Sequence, residues 1–352
     1  MKPTTEISGT IIWGEEFEVV NGTLYIEDGI IVDMIEGQVS DDVIIAPCFV
    51  NAHTHIGDSV IKDPQITSLD ELVRPPDGLK HRILNKTPAV ELINAMISTL
   101  EDMKKTGTTA FIDFREGGAE GVNALRQALI HAGNLQSMIL GRPCNDLSRL
   151  LKMSDGIGLS GVNDMPPDEL QEIVSAVKSS GKPFAIHAGE GDKTDIDAAF
   201  ELEPDFVVHL TSGSTGDFKR AFDQDCKIVV CPRSNLLTGA GMPDIKGMIE
   251  SGVVVAVGTD NVMLNSTNMF DEMKFISTIF LHDDRQVFRL CTLNGAEVSN
   301  MDNEIGSIEV GKMAHLMVLN GKSYNLQGVR NRLSGLVRRA RPDDIIQIIG
   351  VE

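Results

Sequence analysis

The sequence predicts an α/β protein, a (β/α)8 TIM barrel with a small β-sandwich module formed by its N- and C-terminal segments. Three observations predict it. Eight short, apolar, β-branched runs recur between residues 43 and 260, with segments of helical spacing between them. The first 45 residues keep a different rhythm of short β-rich runs and turns, and similar runs return after residue 305. Histidines and a carboxylate gather at the C-terminal ends of the eight runs, the rim on which such barrels carry their chemistry.

The N-terminal runs are ISGTIIW and FEVVNGTLYIEDGIIVDMIEG, where Asn21-Gly22 and Asp28-Gly29 read as hairpin turns. The barrel strands follow: VIIAPCFVNAH (43–53), TTAFIDF (108–114), LQSMILG (135–141), GIGLSG (156–161), FAIHAGE (184–190), FVVHL (206–210), KIVVCP (227–232) and VVVAVGTD (253–260). Helical spacing of apolar residues marks 88–106, 121–133, 167–181 and 268–282, and a further helix is expected from residue 284. The runs 306–320 and 344–352 read as strands that return to the N-terminal module. The expected division is therefore 1–45 plus 305–352 as the small module and 46–304 as the barrel.

Composition narrows the function classes. A chain of 352 residues suits one large barrel, and 42% hydrophobic with 23% charged residues is ordinary for a globular protein. The formal charge of −20 repels nucleic acid and anionic membranes, so neither is expected as a partner. Cys48, Cys144, Cys226, Cys231 and Cys291 are odd in number and form no CxxC pair, which reads as reduced thiols. With no leader-like start and no run of ~20 apolar residues, the expected location is cytoplasmic.

His53 and His55 stand one residue apart at the end of the first barrel run, so both face the same side of a strand. Two imidazoles aimed at one point suit a first-row transition metal. The fifth run ends in His187 with Glu190 just beyond, the sixth in His209 and the eighth in Asp260. Each of these residues has an ordinary structural explanation when taken alone. Their coincidence at one rim does not.

The set APCFVNAHTH, HAGEGD, VVHLT, CPRSN, GTDN and NGAEVSNMDNEIGSIEVGKMAHLMVLN resembles the amidohydrolase superfamily, in its deaminase and chlorohydrolase branch. The resemblance covers residues 1 to about 320, and HAGE is also similar to the corresponding run of adenosine deaminases. One departure is Ala314-His315-Leu316, where the family usually has Ala-Asp-Leu. The resemblance implies one divalent metal, Zn2+ or Fe2+, held by His53, His55, His187 and Asp260. Binuclear relatives use a bridging lysine on the fourth strand, which GIGLSG lacks. Asp260 and His209 are then expected to orient a water that the metal makes nucleophilic, and Glu190 to protonate a ring nitrogen of the substrate.

Arginines also stand at strand ends: Arg115, Arg142 and Arg233, with Arg74, Lys80 and Arg82 in the long loop after the first strand. Guanidinium groups bind carboxylate or phosphate in a bidentate manner, which suggests a small-molecule substrate with an anionic group. Salt bridges to acids such as Glu116 explain the same arginines equally well. The loop 57–87 is long enough for a lid.

The function these features favour is hydrolytic deamination of an amino-substituted heterocycle, of nucleobase, nucleoside or pterin type. The alternative is hydrolysis of a cyclic amide, imidazolone or formimino compound. A metal-bearing scaffold without activity fits least, because structural sites are closed and need no acid or base. Barrels of this kind often assemble as homo-oligomers, though no segment identifies an interface.

Overall fold

Two sheets organise the chain, and one residue, Cys48, separates them. The computed structural model describes residues 4–39, 42–65, 68–75, 77–133, 135–144 and 146–351. Strands β1 (Thr5–Trp13), β2 (Glu18–Glu27), β3 (Ile30–Glu36) and β4 (Val43–Pro47) come first. They are followed by β5 (Phe49–His55), β6 (Thr108–Arg115), β7 (Gln136–Gly141), β8 (Gly156–Leu159), β9 (Phe184–Ala188), β10 (Phe206–His209), β11 (Lys227–Val230), β12 (Val255–Val257) and β13 (Asp260–Asn261). Late in the chain come β14 (Leu316–Asn320) and β15 (Ile345–Ile349).

Strands β5 to β13 form one parallel sheet in the order β12-β11-β10-β9-β8-β7-β6-β5-β13. β12 and β13 are two halves of one passage. The first pairs with β11 and the second with β5, so the two ends of the sheet meet. This arrangement fits the expected barrel. Its strands are buried along nearly their whole length, which explains why they read as continuous apolar runs without alternation. Helices Ala89–Lys105, Gly118–Ala132, Pro167–Ser179 and Met269–Ile279 occupy the expected spans between or after strands. The first of them buries Met96, Leu100 and Met103 along one stripe.

The expected first barrel strand, 43–53, is two strands. β4 pairs with β1 and β14, whereas β5 pairs with β6 and β13. The reason is local: Pro47 has no N–H to give a ladder, and Cys48 N donates to His315 O at 2.9 Å, which carries the chain from one sheet to the other.

The terminal segments form one six-stranded sheet, ordered β15-β14-β4-β1-β2-β3, where a sandwich was expected. Ile11, Leu24, Ile31, Ile45 and Leu316 pack in its core. Asp28-Gly29 turns between β2 and β3 as expected, but Asn21-Gly22 lies inside β2, opposite Thr10 and Gly9. Gly22 is needed there for close approach, since a Cβ would lie 2.6 Å from Ile35 O. Of the expected strand 306–320 only β14 is extended along a ladder, with an isolated bridge at Met313.

The loop 57–87 contains a short 3-10 helix, Ile56–Val60, and helices Leu69–Val73 and Leu79–Leu84. Positions 66, 67 and 76 of that loop lie outside the described residues. All five cysteines are free thiols, four of them buried. Among the described residues no helix is long and apolar enough to cross a membrane.

Candidate active site

β5 ends at His55, β9 carries His187 and β13 begins at Asp260, so these three strand ends bring three imidazoles and a carboxylate together. His53 Nε2 lies 3.2 Å from His187 Nε2 and 3.3 Å from Asp260 Oδ1. His55 Nε2 is 3.5 Å from the same carboxylate oxygen. All four residues are buried. Gly258 permits this approach, because a Cβ there would meet His53 Cβ and backbone N at 2.6 Å.

The protonation pattern is that of a ligand set. His187 Nδ1 faces Leu159 O at 2.8 Å and His55 Nδ1 faces Phe114 O at 3.1 Å. Each carbonyl takes the Nδ1 proton, which leaves a bare Nε2 lone pair pointing inward. Burial pushes the imidazoles of His53, His55 and His187 below their ordinary range, so they stay neutral. Burial also pushes Asp260 up, but the hydrogen bond from His53 and the surrounding imidazoles outweigh it and hold the carboxyl well below its usual range. Neutral imidazoles around an ionised carboxylate, with Nε2 of His53 and His187 only 3.2 Å apart, suit a divalent cation.

Ser234 Oγ donates to Asp260 Oδ2 at 2.6 Å, and Asn261 Nδ2 donates to Asp260 Oδ1 at 2.9 Å. His209 stands beside the cluster, and Asn235 Nδ2 lies 3.0 Å from its Nδ1. Donation from that amide leaves the Nε2 proton of His209 facing Glu190 Oε2, which is 3.5 Å away. His209 and Asp260 both adopt left-handed backbone, with φ of 76° and 63°. Such strain, roughly 1–3 kcal/mol at a non-glycine residue, persists where the surroundings fix it and is concentrated at functional sites.

A cavity of about 250 Å³ opens over this cluster, lined by His55, His187, Glu190, His209, Asp260 and Asn261 among others. Burial raises the Glu190 carboxyl above its ordinary range, partly offset by His209.

The six basic residues expected near substrate separate. Arg74, Lys80 and Arg142 line the cavity, whereas Arg82, Arg115 and Arg233 do not. Arg115 is buried and lines a different cavity, with Nη2 2.8 Å from Glu116 Oε2 and Nη1 3.8 Å from Asp113 Oδ2. Arg233 pairs with the buried Glu272 at 3.4 Å. Lys80 is fully buried, with Nζ 2.6 Å from Glu116 Oε1 and 3.0 Å from Asn261 Oδ1.

Sequence reasoning did not single out Glu116, Asn261, Ser234 or Asn235. The last two lie in CPRSN and Asn261 in GTDN, so the motifs carried the signal but strand-end rank alone did not expose it. From sequence, Glu116 reads only as a salt-bridge partner.

A sequence profile of the amidohydrolase family matches residues 44–347. A putative aminohydrolase of Methanothermobacter thermautotrophicus is 33% identical, over 90% of this chain and 92% of its own length. The 5-methylthioadenosine/S-adenosylhomocysteine deaminase of Halobacterium salinarum is 24% identical, over 98% of this chain and 90% of its own. Among solved structures, an adenosine deaminase from Xanthomonas campestris with bound zinc has a TM-score of 0.83 at 16% identity, covering 97% of this chain and 90% of that one. That last likeness is one of fold. The profile match spans the barrel and every residue of the histidine cluster, and on that basis the chain belongs to the amidohydrolase family of hydrolytic enzymes acting on C–N bonds.

Proposed function

We propose that this enzyme is a metal-dependent aminohydrolase that releases ammonia from an amino-substituted heterocycle. The observation that carries the reading is the placement of Glu190 and His209 on the wall of the cavity that also exposes Asp260 and the imidazoles. In this reading His53, His55, His187 and Asp260 hold one divalent metal, with zinc preferred over ferrous iron. A metal held there supplies Lewis acidity, which makes water nucleophilic near neutral pH. Residues 46–304 are read as the catalytic unit, and 1–45 with 305–352 as an accessory module.

The chain's own side chains do the rest. The left-handed turn at Asp260 leaves its carboxylate within reach of both His53 and His55, where it orients the attacking water together with His209 and accepts its proton. Asn235 fixes the His209 ring, so its Nε2 faces the substrate and Glu190. Glu190, its carboxyl raised above the ordinary range by burial, is the acid in this reading; it delivers a proton to a ring nitrogen, and the amine-bearing carbon becomes electrophilic. The proton that Asp260 takes from the water passes to the amine, which leaves as ammonia, and the remaining hydroxyl proton restores Glu190 as the carbonyl forms.

One observation favours the second reading, hydrolysis of an imidazolone or formimino compound. Among the described residues that line the cavity there is no Phe, Tyr or Trp on which a heterocycle could stack. Ammonia release by the zinc- or iron-loaded protein, measured over amino-purines, pyrimidines, pterins and formimino compounds with product identification, separates the two. Silence over the whole panel with metal bound would move the reaction to ring-opening amide hydrolysis.

A further inference from the structure

The geometry points to a substrate that carries an oxyanion, carboxylate or phosphate, with Arg142 as the residue that binds it; this rests on the cavity being the catalytic site. Arg142 follows β7, and its backbone N donates to Arg115 O at 2.8 Å, which fixes where its side chain starts. That side chain is only 13% exposed. Among the described residues its guanidinium makes no hydrogen bond, and its Nε is buried without a partner.

The Glu116 carboxylate does not reach it. Glu116 Oε1 lies 3.7 Å from Arg142 Nη1, beyond hydrogen-bond reach. The same oxygen already faces Lys80 Nζ at 2.6 Å and His55 Nδ1 at 2.9 Å. The other oxygen takes Arg115 Nη2 at 2.8 Å. One carboxylate thus faces three cations and an imidazole, and Arg142 is the cation it serves least.

Burying guanidinium donors without acceptors is costly, and a planar fork matches a carboxylate or phosphate. The open side of Arg142 is the cavity, where Lys80 and Arg74 add positive charge to the lining. Asp192 and Asp195, from the loop after β9, line the cavity too, but they accept from their own loop, at Thr194 N and Gly189 N. Arg115 and Arg233 have carboxylate partners of their own and are not needed by a ligand.

The position also limits size. Arg142 and His55 approach the same oxygen of Glu116, so an anion held by Arg142 lies close to the imidazole cluster. The oxyanion and the reactive carbon therefore belong to one compact molecule.

Inorganic phosphate and acetate, titrated calorimetrically into the metal-loaded protein, test this, with Arg142→Met and Arg142→Lys as variants and metal content assayed in each. We expect one probe to bind the wild type, the Met variant to lose about thirtyfold or more of that affinity with its metal retained, and Lys to restore part of it. Stronger loss for phosphate or for acetate identifies which oxyanion the site takes. Equal binding by wild type and Met variant, or no binding of either probe to the wild type, overturns the assignment. The ammonia panel is scored separately. Release from neutral heterocycles alone overturns the anion and keeps the aminohydrolase, whereas Arg142-dependent anion binding without any ammonia release does the reverse.

Discussion

Glu116 places a carboxylate oxygen 2.9 Å from Nδ1 of His55. Burial pushes this carboxyl up, but Lys80, His55 and Arg115 together hold it well below its usual range, so it stays ionised. From the same oxygen a chain of polar contacts runs through Lys80 Nζ and Asn261 to Asp260 Oδ1. A lysine from the loop after the first barrel strand therefore ties two of the proposed ligands together. A carboxylate behind a ligating imidazole orients the ring and raises its basicity, and its removal typically costs about 10–100-fold in metal affinity. Glu116→Gln and Lys80→Met should each weaken metal binding by about tenfold or more in chelator competition. Because they interrupt one chain, the double variant should lose less than the sum. Unchanged affinity in both single variants would remove the chain from any positioning role.

Glu190 faces the cavity but stands apart from the imidazole cluster. Its Oε2 lies 3.5 Å from Nε2 of His209, which is not a proposed ligand. Glu190→Gln keeps the shape and removes the proton. We expect metal content to match the wild type while ammonia release falls about 100-fold or more. Near-normal turnover in that variant would end the assignment of Glu190 as the acid.

Much of this architecture was legible because the physics that forms it is local. Barrel strands buried on both faces leave continuous apolar runs, and the polar residue that ends each run marks the rim. Long-range pairing leaves no such mark. VIIAPCFV is one continuous apolar run, so nothing in it shows that Pro47 closes one sheet and Phe49 opens the other. Asn21-Gly22 has the composition of a hairpin, yet Gly22 is there for a close approach to Ile35. A salt bridge between Arg115 and Glu116 could be read from their adjacency, but the pairing of Lys80 with Glu116 could not, because Lys80 comes from a different barrel unit. For Arg115, where the sequence leaves substrate binding and a salt bridge to Glu116 equally open, the structure has the salt bridge.

Gly258 lies between β12 and β13, against the backbone of His53. An added Cβ would fall 2.6 Å from His53 N and 2.7 Å from His53 O, and backbone atoms cannot swing aside as a flexible side-chain end can. Gly258→Ala should cost about 1–3 kcal/mol of stability, read from the urea midpoint, as strand and ligand are forced apart. Metal affinity should fall in the same variant. A midpoint and an affinity both equal to wild type would show that the eighth strand has room to shift.

His315 supplies the carbonyl that receives Cys48 N, and its Nδ1 lies 3.0 Å from Thr109 Oγ1, at the junction of the two sheets. Burial pushes its imidazole down from 6.5 to about 4. Between those values the unfolded chain takes up a proton that the folded protein refuses, so the unfolded state binds more protons. Stability contributed by the neutral ring is therefore present above pH 6.5 and is lost as pH falls towards 4, by about 3 kcal/mol at most. Asp58 and Glu272, both pushed up to about 8 by burial, act in the opposite sense: their contribution is full at low pH and lost as pH rises through 8. The wild-type slope mixes these effects, so the readout is the difference between wild type and His315→Gln, which keeps a polar group for Thr109 and does not titrate. Urea midpoints from pH 4 to pH 7 should fall less steeply on acidification in the variant than in the wild type. Parallel curves would mean that His315 does not resist protonation in the folded protein.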